Sequence, residues 1–503
     1  MRLSTRTQSQ QIDQIAQKEF GLSPEVLMEA AGSAVAEEIH SALKNKKNRI
    51  LILIGAGNNG ADGLATARIL KRKGFTNLVC AILREKSTPA KIWNFQLEKA
   101  QNSGVEILRL SSDRLKMEIA NCEVIVEAIL GTGFSASLDQ ELLELVQFLN
   151  SKNRFVVAVD SPLGLDVDTG LEKPLALRAK LTVTFGLAKP GFFISRGPRC
   201  VGLLKIHRIG FPLQLLRREA KTHFAWGGRA CAQLLPTRDE LSHKSNHGTV
   251  QLIAGSSEYP GAGLLAANGA GRAGAGYVYF YGDSGIYQNL QMIPEVIFRD
   301  KKTLDLKTLD KESCVIIGPG LGVNEETEKL LRELIKRKFE RVVVDADALT
   351  VIAQKKIWPL PTTWIVTPHA GELSGLLQRA PKVLNADRFG SAQEAAVLLG
   401  CVVLFKGFRT IVASANLKMS GVVLAGNSGL AKAGSGDVLS GFIAAFYAQG
   451  LEPSRAAVLG AYVHGRLANE WCKEGKDIIS LLPSDLTALV PNLIRKIREQ
   501  KQK

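Results

Sequence analysis

The sharpest chemical signal in the chain is a run of small residues followed by a carboxylate, Gly434-Ser435-Gly436-Asp437. Without bulky side chains, backbone N–H groups can crowd around an anion, and a following helix adds favourable potential at its N-terminus. Asp437 would then stand in the first helical turn, beside any phosphate held by the loop. A carboxylate against a phosphate is repulsive unless it takes the proton of an attacking hydroxyl. The four residues therefore suggest phosphoryl transfer with Asp437 as general base. Taken alone they fit an N-cap aspartate after a flexible loop equally well.

Companion clusters shift that balance. GPGLG (318–322), VVDADAL (343–349), TPHAGE (367–372) and KGFRT (406–410) each end or follow an apolar β-branched run, and HKSNHG (243–248) precedes one. Ligands of open parallel sheets bind beyond the carboxyl ends of the strands, so these polar clusters are expected to meet there. Asp345 and Asp347 fit either loop caps or polar contacts within that site. In the first half, GAGNNGADG (55–63) matches GxGxxG through Gly55, Gly57 and Gly60, and Glu85 lies near the end of the next strand. Read bare, this is a dinucleotide fingerprint. Asn58, Asn59 and Asp62 are more polar than helix–phosphate packing needs. Such side chains can orient a polar ring or offer oxygen to an alkali cation.

Two α/β patterns must position these groups. Strands are expected at 50–54, 78–83, 105–108, 124–130, 155–159 and 181–185, with helices at 64–73, 90–102 and 140–149 between them. Residues 213–229 break the rhythm with charges, a Gly-Gly and no clear period, and read as a linker. A second series of strands is expected at 249–254, 277–281, 314–317, 342–344, 364–367 and 402–405. After Asp437, the apolar residues Val438, Leu439, Phe442, Ile443 and Phe446 trace one face of a helix. The expected fold class is α/β, as two unrelated three-layer αβα domains.

Composition bounds the alternatives. At 503 residues the chain exceeds one domain of roughly 100–200 residues. Its 46% hydrophobic and 22% charged content is ordinary for a soluble protein. The net charge of +16 is spread over both halves rather than gathered in an arm, which argues against a nucleic-acid function. Seven widely spaced cysteines without a CxxC point away from a disulfide framework or structural zinc. They suit a reducing, cytoplasmic setting. The start of the chain has no apolar core of a signal peptide, and no uncharged apolar stretch reaches about 18 residues, so neither export nor membrane spanning is expected.

With these motifs in hand, residues 225–500 resemble the carbohydrate-kinase-like NAD(P)H-hydrate dehydratases of the ribokinase-like superfamily. The stretches that carry the resemblance are HKSNHGTVQLIAGSSEYPGAGLLAA, GPGLG, VVDADAL, TPHAGE, KGFRT and NSGLAKAGSGDVLSGFIAAFYAQG. The first half resembles NAD(P)H-hydrate epimerase domains through MEAAG, GAGNNGADG, EAILGTGF, DSPLGLDVDTG and TVTFGLAKPG. The resemblance implies a Rossmann-like domain over residues 1–214 and a ribokinase-like domain over 225–503. It implies a nicotinamide-nucleotide repair enzyme acting on the hydrated cofactors NADHX and NADPHX, likewise cytoplasmic and a homo-oligomer.

Under that resemblance, Asp437 deprotonates the C6 hydroxyl of the hydrated ring. Lys406, Gly407, Phe408, Arg409, Thr410 and Gly436 match ADP-binding positions, and Ala262, Gly322, His369 and Asp437 match positions that contact the hydrated nucleotide. ADP is the implied phosphoryl donor, with Mg2+ neutralising its phosphates. In the first half, Asn58, Asn59, Gly60, Ala61, Asp62, Gly131, Thr132, Gly133, Phe134, Ser135, Ala136, Ser137 and Asp160 match substrate-contacting positions. Acid–base help is implied from Asp62 or Asp160. Asn59, Glu127 and position 163 match the ligands of a potassium ion. This chain carries Ala61 where the family usually has Gly, Glu127 where it has Asp, and Leu163 where it has a hydroxyl residue. The last change removes a side-chain oxygen, so weakened cation binding and weak epimerisation are expected. A small-molecule kinase, or a dehydratase with an inactive first half, are the competing readings.

Overall fold

The apolar run Ile50–Ile54 (β1) is buried at every residue, as a central parallel strand covered on both faces requires. The structure, a computed structural model, describes residues 1–43, 45–83, 90–133, 137–286, 293–416 and 419–502. Phe134, Ser135, Ala136 and Glu85 lie outside the described residues. The chain divides into two compact units, Arg2–His223 and Phe224–Lys503, the latter joined by Met1.

In the N-terminal unit β1 is followed by β2 (Leu78–Ile82), β3 (Glu106–Arg109), β4 (Val124–Ala128), β5 (Phe155–Val159), β6 (Leu181–Phe185) and β7 (Leu203–His207). The order is β3-β2-β1-β4-β5-β6-β7, and every pairing is parallel. Alternation along β1 sends Ile50, Ile52 and Ile54 into one core cluster and Leu51 and Leu53 into another, one for each face. The order reverses between β1 and β4, which is where an open α/β sheet offers a crevice. There the loop after β1 meets the end of β4: a Cβ on Gly55 would lie 2.0 Å from the Ile129 carbonyl oxygen, so only glycine fits. The following helix runs Asn58–Arg72 and so starts six residues before the expected 64. Asn58 to Asp62 therefore lie on its first turns rather than in a loop.

The C-terminal unit is built on β8 (His223–Trp226), β9 (Thr249–Ile253), β10 (Tyr277–Gly282), β11 (Ile297–Asp300), β12 (Cys314–Ile317), β13 (Val342–Val344), β14 (Ile365–Val366), β15 (Val402–Phe405), β16 (Ile411–Ser414) and β17 (Met419–Val423). Their order is β8-β17-β16-β15-β14-β13-β12-β9-β10-β11. From β11 to β15 the pairing is parallel, whereas β15–β16 and β16–β17 are antiparallel. The helix Ser435–Ala448 buries Val438, Leu439, Phe442, Ile443 and Phe446 as the pattern predicts, and most of its other residues too.

Three expectations change. Residues 213–229 are not an irregular linker: they hold a helix (Leu213–Glu219), β8 and the start of a helix Gly228–Leu234. Elements of four to seven residues are too short to show a period. HKSNHG does not join the other clusters. It forms a short turn at the amino end of β9, where His247 Nε2 and Ser242 Oγ are 2.8 Å apart. The segment precedes its strand, so parallel topology puts it at the edge opposite the ligand crevice. The antiparallel strands β16 and β17 and the edge strand β11 went unread. Six cysteines are buried, Cys472 is exposed, and all are free. No helix among the described residues is long and apolar enough to cross a membrane.

Candidate functional site

In the C-terminal unit three strand ends converge on one ion-pair cluster. Asp345 follows β13, Glu372 lies just beyond β14 in the first turn of the helix Ala370–Leu377, and Lys406 follows β15. Lys406 Nζ lies 2.8 Å from Asp345 Oδ1 and 3.6 Å from Glu372 Oε2. Ser440, on the helix Ser435–Ala448, donates to Asp345 Oδ2 at 2.6 Å. Burial opposes ionisation of Asp345, but the Lys406 charge and hydrogen bonds from Lys406, Ser440 and Thr367 outweigh it and hold its carboxyl below the usual range. Burial also opposes the Lys406 charge, and Asp345 and Glu372 overcome it, so the ammonium is held above its ordinary value. Glu372 is pushed upward, first by burial and then by Asp345, with Lys406 opposing.

Asp437 stands in the first turn of its helix, as expected. Burial pushes its carboxyl up to about 7, and Asp345, Asp347 and Glu372 add to the rise while Lys406 opposes it. Gly434 caps the helix with no side chain to accept from the first-turn N–H groups, which suits an external anion there. Gly436 lies against the cluster, its place for a Cβ being 3.5 Å from Lys406 Nζ.

The flanking loops are tied down. Asp347 Oδ2 accepts the Gly322 N–H at 2.8 Å. Ala262, in the first turn of the helix Pro260–Arg272, lies against Gly320. His369 caps the helix Ala370–Leu377, its Nδ1 accepting from Gly371 and Glu372, while its backbone N–H donates to Glu372 Oε2 at 2.7 Å. The His369 ring is otherwise exposed. Thr410 Oγ1 donates to the Gly407 carbonyl at 3.4 Å, and exposed Phe408 carries the Arg409 guanidinium 5.2 Å from its ring centre.

Two residues at this site escaped sequence reading. Arg388 is buried with its guanidinium 4.0 Å from the Phe405 ring centre, and donates to the carbonyls of Phe405 and Lys406 at 3.1 and 3.2 Å. A Cβ on Gly407, whose φ is 144°, would lie 2.9 Å from that guanidinium, which explains the glycine. Ser440 lies in the quoted NSGLAKAGSGDVLSGFIAAFYAQG stretch but was not singled out. Arg388 carried no sequence signal.

The N-terminal unit repeats the pairing with other residues. Asp160 ends β5 in a left-handed conformation, φ 64°, uncommon outside glycine. Its Oδ1 accepts Lys189 Nζ and Thr184 Oγ1, each at 3.0 Å, and Oδ2 accepts the Thr132 N–H at 3.4 Å. Burial alone would raise its carboxyl, but Lys189 and these hydrogen bonds hold it below the usual range. Asp62, by contrast, is pushed well above the carboxylate range by burial, then by Asp160 and Asp13. Lys189 and Thr184 lie in the quoted TVTFGLAKPG stretch but were not singled out. Asp13 had no signal at all.

The implied cation ligands divide. Asn59 is buried and neither its Oδ1 nor its Nδ2 has a hydrogen-bond partner, an arrangement that a ligand oxygen awaiting a cation would leave. Glu127 is fully buried, its Oε1 accepting the Ile129 N–H at 2.9 Å and its Oε2 the Leu163 N–H at 3.0 Å. Burial pushes its carboxyl up to about 8 in spite of those bonds. Leu163 does not fit: its side chain packs in a core cluster with Leu138, Leu142 and Leu177, and its carbonyl already accepts the Leu177 N–H at 2.9 Å. Gly131 lies against the Asn59 side chain. Ala61 is buried in the helix, and Gly60, Gly133 and Ser137 belong to the same helix start and the loops beyond β4.

Two open, mostly parallel α/β units, each with a lysine–aspartate ion pair beyond its strands and a second carboxyl pushed toward its protonated form nearby, define a two-part enzyme. A family profile described as NAD(P)H-hydrate dehydratase matches residues 250–492, and one described as YjeF-related protein N-terminus matches residues 24–191. The bifunctional NAD(P)H-hydrate repair enzyme Nnr of Moorella thermoacetica is 34% identical, over 99% of this chain and 98% of its own. That of Escherichia coli is 33% identical over 90% of this chain and 86% of its own. The crystal structure of ADP/ATP-dependent NAD(P)H-hydrate dehydratase from Bacillus subtilis, co-crystallised with ATP and Mg2+, is 29% identical with a TM-score of 0.51. It covers 55% of this chain and 98% of that chain. The chain belongs to the family of bifunctional NAD(P)H-hydrate repair enzymes.

Proposed function

We propose that this chain repairs hydrated NADH and NADPH, residues 1–214 epimerising the R and S forms and residues 225–503 dehydrating the S form at the expense of ADP. The observation that carries the dehydratase reading is Asp437, a carboxyl near 7 in the first turn of a helix whose cap leaves its amides to an anion. Expelling hydroxide from C6 is poor chemistry, since bulk water has a pKa of about 15.7. Phosphate, with a second pKa of roughly 6, leaves far more easily. Asp437 takes the C6 hydroxyl proton as the oxygen attacks the terminal phosphorus of ADP, and AMP departs. Elimination of phosphate, with loss of a C5 proton, restores the reduced nicotinamide ring.

Lys406 supplies the fixed positive charge beside that transfer, and Asp345 with Ser440 fixes the lysine. Lys406, Gly407, Phe408, Arg409, Thr410 and Gly436 hold the nucleotide, and Ala262, Gly322 and His369 the hydrated ring and its ribose. A Mg2+ ion would be carried chiefly by the phosphate oxygens of the nucleotide and by water, as the relative co-crystallised with ATP and Mg2+ suggests. That ion would neutralise phosphate charge. Potassium would be held in the N-terminal unit by Asn59 and Glu127, where it would steady the Asp62 helix; position 163 contributes no side-chain oxygen. Asp160, ionised against Lys189, anchors substrate, and Asp62 carries the proton. A cytoplasmic homo-oligomer is the companion reading, checked by fractionation and sedimentation.

The test incubates separated R and S forms of hydrated NADH with the full chain, with and without ADP. Recovery of the reduced-ring absorbance from S requires ADP under this reading, and recovery from R follows only through epimerisation. Parallel rates with ATP decide the donor. A nucleotide-dependent phosphorylated product with no recovered NADH would mark a small-molecule kinase instead.

A further inference from the structure

The helix Arg6–Phe20 lies ahead of residues 24–191, which the family profile matches, yet its first residue reaches the N-terminal site. The start of that helix is fixed on both flanks. Thr5 Oγ1 accepts the Gln8 N–H at 3.3 Å, and Gln8 Oε1 accepts the Thr5 N–H at 3.0 Å. Gln8 Nε2 donates to the Glu219 carbonyl at 3.1 Å and to Thr222 Oγ1 at 3.2 Å. The Arg6 N–H, which no residue of its own helix can satisfy, donates to Asp168 Oδ1 at 2.8 Å. The Arg6 side chain therefore leaves from a backbone that is tied down.

That side chain joins two loops. Its Nε donates to the Thr132 carbonyl at 2.9 Å, and Nη2 lies 3.6 Å from Asp166 Oδ2. Asp166 is itself held in place. Its Oδ1 accepts the Asp168 N–H, the Thr169 N–H and the Thr169 hydroxyl at 3.0, 2.9 and 3.0 Å, and Oδ2 lies 2.6 Å from Lys173 Nζ. Thr132, in the loop after β4, is gripped at both of its peptide bonds. Its N–H donates to Asp160 Oδ2, but at 3.4 Å that bond is long and weak. The bond from the guanidinium to its carbonyl is shorter and charge-assisted, so Arg6 does more than Asp160 to decide where the residue sits. Only 16% of the Arg6 side chain is exposed, so water competes little for that bond. Gly131, next in the same loop, lies against the Asn59 side chain.

We propose that Arg6 is a positioning residue of the N-terminal site, fixing residues 131–133 against Asp160 so that the hydrated nucleotide meets a loop already in place. The proposal rests on the epimerase reading above. No proton passes through the guanidinium, and proton transfer at C6 is left to Asp62. Ordering the loop before substrate arrives removes a cost from binding, so the effect falls on KM rather than on kcat. The shape of the group matters as much as its charge. A guanidinium spans the Thr132 carbonyl and Asp166 together, whereas a lysine ammonium is a point charge on a flexible stem.

The test compares the full-length wild type with Arg6→Met and Arg6→Lys in R-to-S conversion of hydrated NADH. ADP-dependent dehydration of the S form is the internal control, and melting temperature is measured alongside. Arg6→Met should raise KM for the R form about tenfold or more, while kcat stays within about threefold of wild type. Arg6→Lys keeps a charge to face Asp166, so it should melt near wild type, yet its KM should stay raised. Dehydration should be unchanged in both variants. A raised KM in a variant that melts normally is an effect that a merely structural arginine would not produce. An unchanged KM in Arg6→Met, a loss confined to kcat, or a wild-type KM in Arg6→Lys overturns the proposal. A wild type that dehydrates S but never converts R overturns the epimerase reading itself, and the role of Arg6 with it.

Discussion

Each unit pairs a lysine with an aspartate beyond its parallel strands, buried Lys189 with half-buried Asp160 and half-buried Lys406 with buried Asp345, and sets a second aspartate on the first turns of a glycine-led helix. The lysines differ in what else they touch. Lys406 also approaches Glu372 and draws down Asp437, which burial would otherwise push higher, so that Asp437 settles near 7. Asp62 is raised by burial, Asp160 and Asp13 together and stands well above the carboxylate range. The same device is thus tuned two ways. One carboxyl is poised to release and accept a proton near neutrality, as the base proposed for the hydroxyl nucleophile must be. The other is held toward its protonated form, as the acid proposed for the departing hydroxyl must be.

Asp437→Asn should separate the two sites most sharply. Dehydration should fall by about 10²–10⁴-fold, the usual cost of losing a general base, while epimerisation is untouched and ADP affinity changes little. Dehydration within about threefold of wild type would show that the comparison misplaces the base. Asp62→Asn is the reciprocal experiment, and should abolish epimerisation and spare dehydration.

The next largest effect is on pH. A base must be deprotonated to act, so kcat/KM for dehydration should fall about tenfold per unit below pH 7, following Asp437. Lys406→Met removes the charge that draws Asp437 down, so the residual activity should reach its half-value at higher pH. A limb that stays put would mean that Lys406 does not set the Asp437 carboxyl. The same shift makes a stability statement. A carboxyl raised in the folded state costs stability progressively as pH rises from its unfolded value of 3.8 through about 7. Asp437→Asn should therefore melt higher than wild type at pH 8 and no higher at pH 4, as active-site residues held against stability do.

What the sequence made legible in this arrangement was motif-borne. GSGD and KGFRT announced Asp437 and Lys406, and the period after Asp437 announced its helix, because local glycine content and apolar spacing are properties of the chain itself. Arg388 and Arg6 were silent for a different reason. Each gains its meaning only when the fold brings it to a distant partner, Arg388 to the carbonyls ending β15 and Arg6 to the Thr132 carbonyl. The antiparallel strands β16 and β17 were missed since short strands of four and five residues, broken by serine and glycine, carry neither a clear period nor a direction. HKSNHG differs from the other clusters in coming before its strand rather than after it, and in a parallel sheet that order alone puts it at the opposite edge.

A clamp variant tests the silent residues. Arg388→Lys keeps the charge but loses the planar fork that serves both carbonyls and stacks on Phe405. It should cost about 1–3 kcal/mol in stability, measured by denaturant, and raise KM for ADP more than it lowers kcat. Equal loss in both kinetic terms would place Arg388 in the chemistry rather than under the nucleotide loop.

The smallest effect concerns the cation that only the N-terminal site is proposed to use. The Asn59 amide is buried with both polar atoms unpartnered, a state that costs about 1–3 kcal/mol unless something fills it. Potassium at Asn59 and Glu127 would remove that cost in the folded chain and not in the unfolded one. Melting temperature should then rise in KCl over choline chloride at matched ionic strength. The gain is about 1.4 kcal/mol at ten times Kd, or roughly 3–6 °C for the transition that reports this unit. Asn59→Ala should abolish the difference and melt no lower than wild type in choline chloride, since the orphaned amide is gone. Leu163→Ser should not enlarge the potassium effect, because that side chain packs in an apolar cluster with Leu138, Leu142 and Leu177, and a hydroxyl there would lower the melting temperature in both salts. A steeper potassium dependence in Leu163→Ser would instead place position 163 back among the ligands.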